Sequence, residues 1–125
     1  MNKILVEVSV GELLDKISIL EIKQEKIKDA GSLKFIKDEY DVLKSELDKN
    51  IKTDENLKNL FNSLKEINSK LWVIEDDKRM CEKNKDFGEK FIKLSRDVHF
   101  LNDNRAKIKL KIQITLNLLM KNMLF

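Results

Sequence analysis

The apolar positions of this chain fall into four runs of helical spacing, separated by polar breaks and preceded by one short alternating segment. Residues 4–8 alternate and are rich in branched side chains, which predicts a short strand. An isolated strand leaves its ladder unpaired, so it needs a partner inside or outside the protomer. Ser9-Val10-Gly11-Glu12 reads as a capping box, the serine hydroxyl taking an amide of the first turn and Glu12 reaching back. A first helix then runs to about Asp29, with Gly31 placed to end it. Val10, Leu13, Leu14, Ile17, Leu20 and Ile27 form its main stripe, while Ile19 and Ile22 lie on the other side. Such a helix is covered on two faces, either because it is central in the bundle or because it meets another protomer.

Ser32 is placed to cap a second helix, whose stripe is Leu33, Ile36, Tyr40, Leu43 and Leu47. After polar residues 49–54, Thr53, Asp54 and Glu55 start a third. Its seam, Leu57, Leu60, Leu64, Ile67, Leu71, Ile74, Lys78 and Cys81, steps by three and four as packed antiparallel helices do. Asp86-Phe87-Gly88-Glu89 repeats the earlier capping pattern and opens a fourth helix, seamed by Phe91, Leu94, Val98, Leu101, Arg105, Ile108, Ile112, Thr115 and Leu119. Folded near Lys85, the last two helices make a hairpin roughly 45 Å long, for about 30 residues at 1.5 Å each. Residues 107–118 also alternate strictly, so they fit a strand with one basic face as well as a helix apolar nearly all round. Helix is favoured, because only residues 4–8 offer such a strand a partner. The fold class is therefore mainly α: an antiparallel helical bundle with a long hairpin and one short N-terminal strand, in a single helical domain over residues 1–125.

Composition agrees with that reading. Proline is absent and glycine occurs only at positions 11, 31 and 88, so helices run long without interruption. The net charge of +3 is too small to imply nucleic acid, and Arg105, Lys107, Lys109, Lys111 and Lys121 scatter around a helix instead of forming a stripe. One cysteine excludes a disulfide within the chain. The N-terminal residues lack a signal-peptide pattern and no apolar run approaches the ~20 residues of a membrane helix, so the expectation is a cytoplasmic protein without a membrane span.

Candidate chemistry is sparse. Zinc-ligand spacing, a phosphate loop and a nucleophile elbow are all missing, and neither metal nor cofactor is implied. Cys81 on a seam reads as a packed small hydrophobe, and His99 beside one as a hydrogen-bonded boundary residue. The run Glu75-Asp76-Asp77 reads as a solvated face, since consecutive helical residues diverge by about 100°. Glu12 with Asp15, and Glu21 with Glu25, give only a weak magnesium signal, because both pairs lie on one helix.

Arginine is more informative. Of 25 basic residues only Arg79, Arg96 and Arg105 are arginine, each a place where a planar five-donor group is not replaced by lysine. Asn68, Trp72, Glu75 and Arg79 follow one another along the third helix; Arg96, His99, Asn102, Asp103 and Arg105 hold similar positions on the fourth. Arg105 interrupts a seam, level with Asn68 or Lys65, and burial demands a carboxylate or several carbonyl partners. The favoured reading is a buried ion network that sets helix register. The alternative is a site for a phosphate or carboxylate formed by Lys16, Glu75, Arg79, Arg96, Asn102 and Arg105.

Residues 6–23, Val-Glu-Val-Ser-Val-Gly-Glu-Leu-Leu-Asp-Lys-Ile-Ser-Ile-Leu-Glu-Ile-Lys, resemble the opening of an uncharacterised bacterial family, domain of unknown function 6165. Ile67-Asn68, Leu71-Trp72, Ile74-Glu75-Asp76, Phe91-Ile92, Leu94, Arg96, Val98, Asn102-Asp103 and Arg105-Ala106 extend the similarity to about residue 112. Beyond Ile112 the apolar residues 116–125 depart from the family's charged tail and suggest an oligomer contact. The resemblance implies no activity and only a loose association with cell-surface polysaccharide pathways. Two functions follow: an accessory or interaction protein working as a homodimer, or an all-α enzyme or binder for an anionic metabolite such as a nucleotide sugar, phosphate or carboxylate.

Overall fold

A computed structural model describes residues 3–124, with side chains for residues 3–117. Four helices follow in order: α1 (Val10–Lys26), α2 (Ala30–Asn50), α3 (Glu55–Lys83) and α4 (Glu89–Leu124). Helix α1 is the hub, packing against each of the other three, while α3 and α4 pair as a long hairpin. Its two apolar faces are thus covered within the protomer, by neighbours on both sides. Leu14 and Ile17 of α1 meet Leu47, Leu57, Leu64, Ile112 and Leu116 in the main core.

The helix ends show which local signals decide. Ser9 caps α1, its hydroxyl accepting from the Glu12 amide at 3.2 Å. The Glu12 carboxylate points elsewhere, to Lys109 at 2.7 Å. Helix α1 stops at Lys26, earlier than its apolar spacing suggests. The cap of α2 is Asp29, which accepts from both the amide (2.9 Å) and hydroxyl (2.7 Å) of Ser32, so Ser32 and Gly31 lie inside the first turn. Those bonds hold the Asp29 carboxyl below its ordinary range, the hydroxyl bond foremost. Asp54 caps α3 by accepting from the Leu57 amide at 2.8 Å. Asp86 bonds the Gly88 amide at 3.2 Å, forming a turn before α4 and not a capping box on it.

Helix α3 ends in a Schellman motif. The Asp86 amide donates to the Cys81 carbonyl (2.8 Å) and the Lys85 amide to that of Glu82 (3.1 Å), with Lys85 at φ 54°. That left-handed residue reverses the chain where the spacing predicts.

Residues 3–9 form no strand, which corrects the expectation for residues 4–8. Ile4, Leu5, Val6 and Val8 are exposed, and no strand among the described residues completes a ladder, so their backbone groups face solvent. Residues 107–118 are helical: Ile112 and Leu116 enter the core while Leu110 and Ile114 stay half-exposed. Leu116 is therefore a core residue, and the side chains of residues 118–125, expected to make an oligomer contact, lie outside the described residues.

Candidate functional site

Where α1 crosses the hairpin, the core turns polar. Asp15 and Ser18, three residues apart, share one face of α1 and are both buried, as is Asn68 of α3. Ser18 Oγ donates back to the Asp15 carbonyl at 2.7 Å. Asn68 Nδ2 donates to Asp15 Oδ1 and to Ser18 Oγ, each at 2.8 Å, which uses both its hydrogens. Its Oδ1 therefore faces the other way and accepts from Arg105 Nη1 at 3.4 Å. Lys109 stands 3.6 Å from Asp15 Oδ2 and bridges to Glu12. Gly11 permits this crossing: a Cβ there would lie 2.8 Å from the Lys109 carbonyl oxygen.

Beside the network is a cavity of about 180 Å³. Ile19, Ile22 and Leu71 supply apolar surface; Trp72, Glu75 and Arg79 come from successive turns of α3; Asn68 and Arg105 complete the lining. Arg105 Nε is 4.0 Å from Asp15 Oδ1, and the Arg105 side chain retains 30% exposure. Arg79 pairs with Asp76 at 2.6 Å and is largely exposed.

Of the six residues expected to form a site, Glu75, Arg79 and Arg105 meet at this cavity. The other three lie elsewhere. Lys16 faces α2 and pairs with Glu39 at 2.9 Å. Arg96 lies exposed over the Phe100 ring, 5.6 Å from its centroid, and Asn102 is exposed. Asp15, Ser18 and Lys109 join the polar crossing although their spacing points to no site. Asp15 carries a signal only in pairing with Glu12 at i, i+3, which reads as a metal motif. Lys109 is hidden within a basic segment whose charges scatter around the helix.

A second polar junction ties α1, α2 and α3. Lys65 reaches Glu25 at 2.9 Å and Glu21 at 3.1 Å, and the Tyr40 hydroxyl donates to Glu21 at 3.1 Å. The acidic pair Glu21 and Glu25 thus holds an ammonium group. Hydrogen bonding to Glu25 and then Glu21 raises the Lys65 pKa against an opposing effect of burial, and burial with the Glu21 charge raises that of Tyr40. Cys81 is buried, and His99 is exposed with Asp103 at 3.7 Å.

On the opposite side of α3, an open groove of about 670 Å³ runs between α3 and α4, lined by Glu66, Ser69, Lys70, Val73, Ile74, Asp97, Phe100 and Leu101. Among the described residues, no helix is long and apolar enough to cross a membrane.

Residues 4–123 match the model of a family described as "Family of unknown function (DUF6165)", so the similarity runs past Ile112, where it was expected to end. No curated protein and no solved structure matches the chain.

Proposed function

The chain belongs to the Family of unknown function (DUF6165), and from its geometry we propose that it is a helical-bundle interaction protein working as a homodimer. One observation carries this reading. Between Leu71 and Ile112, the tip half of the α3–α4 hairpin, Cys81 is the one buried residue among those described. The same stretch exposes Val73, Met80, Phe87, Ile92 and Phe100, each by at least 50%. Two helices alone cannot bury that surface, and contiguous apolar patches on soluble proteins mark interaction sites.

A second copy suits the groove. The groove is lined by both signs on α3, Glu66 with Lys70, and by Asp97 on α4, which is paired with Lys93 one turn earlier. A two-fold axis would lay each rim against its complement. We place the protein in the cytoplasm, and the family resemblance supports a setting among cell-surface polysaccharide pathways.

Light scattering during size exclusion at micromolar concentration tests the reading. The expected mass is twice that of the 14.7 kDa chain, falling to one chain when Val73→Asp and Phe100→Asp are combined. A monomeric wild type would overturn it.

A further inference from the structure

We propose that the cavity holding Trp72, Glu75 and Arg105 binds a ring-sized monocarboxylate that also carries hydroxyl or amine donors. Its position on the far side of α3 from the groove makes this inference independent of the dimer.

Arg105 supplies the first argument. A guanidinium retained for structure alone makes short, often bidentate bonds to carboxylate. Arg105 instead makes one hydrogen bond among the described residues, 3.4 Å long, and its closest carboxylate oxygen is 4.0 Å away. Its planar fork therefore has donors to spare beside a cavity. The nearby cation Arg79 is already committed to Asp76.

Charge and size then narrow the ligand. Glu75 lines the same small space and has no ion-pair partner among the described residues. A phosphate dianion on Arg105 would face Glu75, with the Asp15 carboxylate already 4.0 Å from the same guanidinium, and like charges in a partly desolvated space repel. A monocarboxylate brings half that charge, and a hydroxyl or amine on the same molecule gives Glu75 a donor. A cavity of about 180 Å³ falls below the roughly 300 Å³ at which drug-sized sites begin. It suits one substituted ring and excludes a nucleotide sugar. Trp72 with Ile19 and Ile22 supplies the apolar surface against which a ring body packs.

Trp72 is the sole tryptophan, so its indole N–H resonance reports on this cavity without ambiguity. The experiment titrates the full chain with D-glucuronate and 4-hydroxycyclohexanecarboxylate, with D-glucose and inorganic phosphate as comparisons. At least one of the two acids is expected to shift the indole resonance saturably in the millimolar range, and neither comparison compound to do so. Arg105→Lys keeps the charge and removes the fork, and is expected to weaken binding about tenfold. Glu75→Gln, at a half-buried position, is expected to reduce the preference for the hydroxylated acid over cyclohexanecarboxylate. The proposal is overturned if neither acid moves the resonance up to about 20 mM. It is equally overturned if glucose or phosphate moves it as much, or if Arg105→Lys binds as tightly as the wild type.

Discussion

At Gly11 the absence of a side chain sets the distance between two helices. Gly11→Ala gains up to about 1 kcal/mol of helix propensity, but its Cβ meets the Lys109 carbonyl at 2.8 Å, and backbone cannot swing aside as a side chain does. Overpacking of that kind costs about 1–3 kcal/mol, so the urea midpoint should fall. Gly31→Ala is the control, since its Cβ lies 3.6 Å from the Asp29 side chain and the midpoint should hold or rise. Asn68→Leu tests the polar crossing with a side chain of similar size. Asp15 and Ser18, both buried, lose their shared donor, and buried groups left unpaired cost about 1–3 kcal/mol each. A stability gain in Asn68→Leu would show that this network contributes nothing to the fold.

At the scale of elements, the junction of α1, α2 and α3 makes stability depend on alkaline pH. Lys65 and Tyr40 both titrate above their ordinary values of 10.5 and 10.0 in the folded chain. Their contributions are complete below those values and lost as pH rises through the raised ones. The urea midpoint should therefore decline from about pH 10 upward, and the combined variant Tyr40→Phe, Lys65→Met should flatten the decline. An equally steep curve in the variant would assign the loss to other groups. Apolar spacing made these elements legible: the α3 seam and the turn at Lys85 stand where Leu57 through Cys81 place them. Caps were harder to read, because Asp29 and Ser32 are both good capping residues and only the actual backbone path selects between them. The strand expected at residues 4–8 failed for a related reason. Alternation describes a side-chain pattern, while a strand exists only where another segment supplies its hydrogen bonds. The cavity was half legible, since Asn68, Trp72, Glu75 and Arg79 share a helical face. Lys16, Arg96 and Asn102 are equally polar, and their distance from it depends on how the helices cross, which spacing along one helix does not encode.

Over the whole molecule, burial is concentrated at one end of the hairpin, around Leu64 and Ile112, and thins toward Lys85. Local opening follows buried contacts. In the variant combining Val73→Asp with Phe100→Asp, amide hydrogens of residues 76–83 should exchange at least about tenfold faster than those around Leu64. The wild type should narrow that gap by covering the tip. Equal protection at both ends of the variant would mean that the two-helix tip is stable alone, removing the reason for a partner.

The contact between Glu12 and Lys109 spans 109 − 12 = 97 positions of chain. During synthesis, α1 is therefore made long before the segment that completes its polar face. At 5–20 residues per second the delay is roughly 5–20 s, far longer than the microsecond relaxation of a helix. Until α3 brings Asn68, Leu57 and Leu64 to it, Asp15 and Ser18 must remain hydrated and the apolar side of α1 must be sheltered by α2 alone. The α1–α2 pair is thus the part of the nascent chain most exposed to premature association, and the surface that a holding chaperone would meet first.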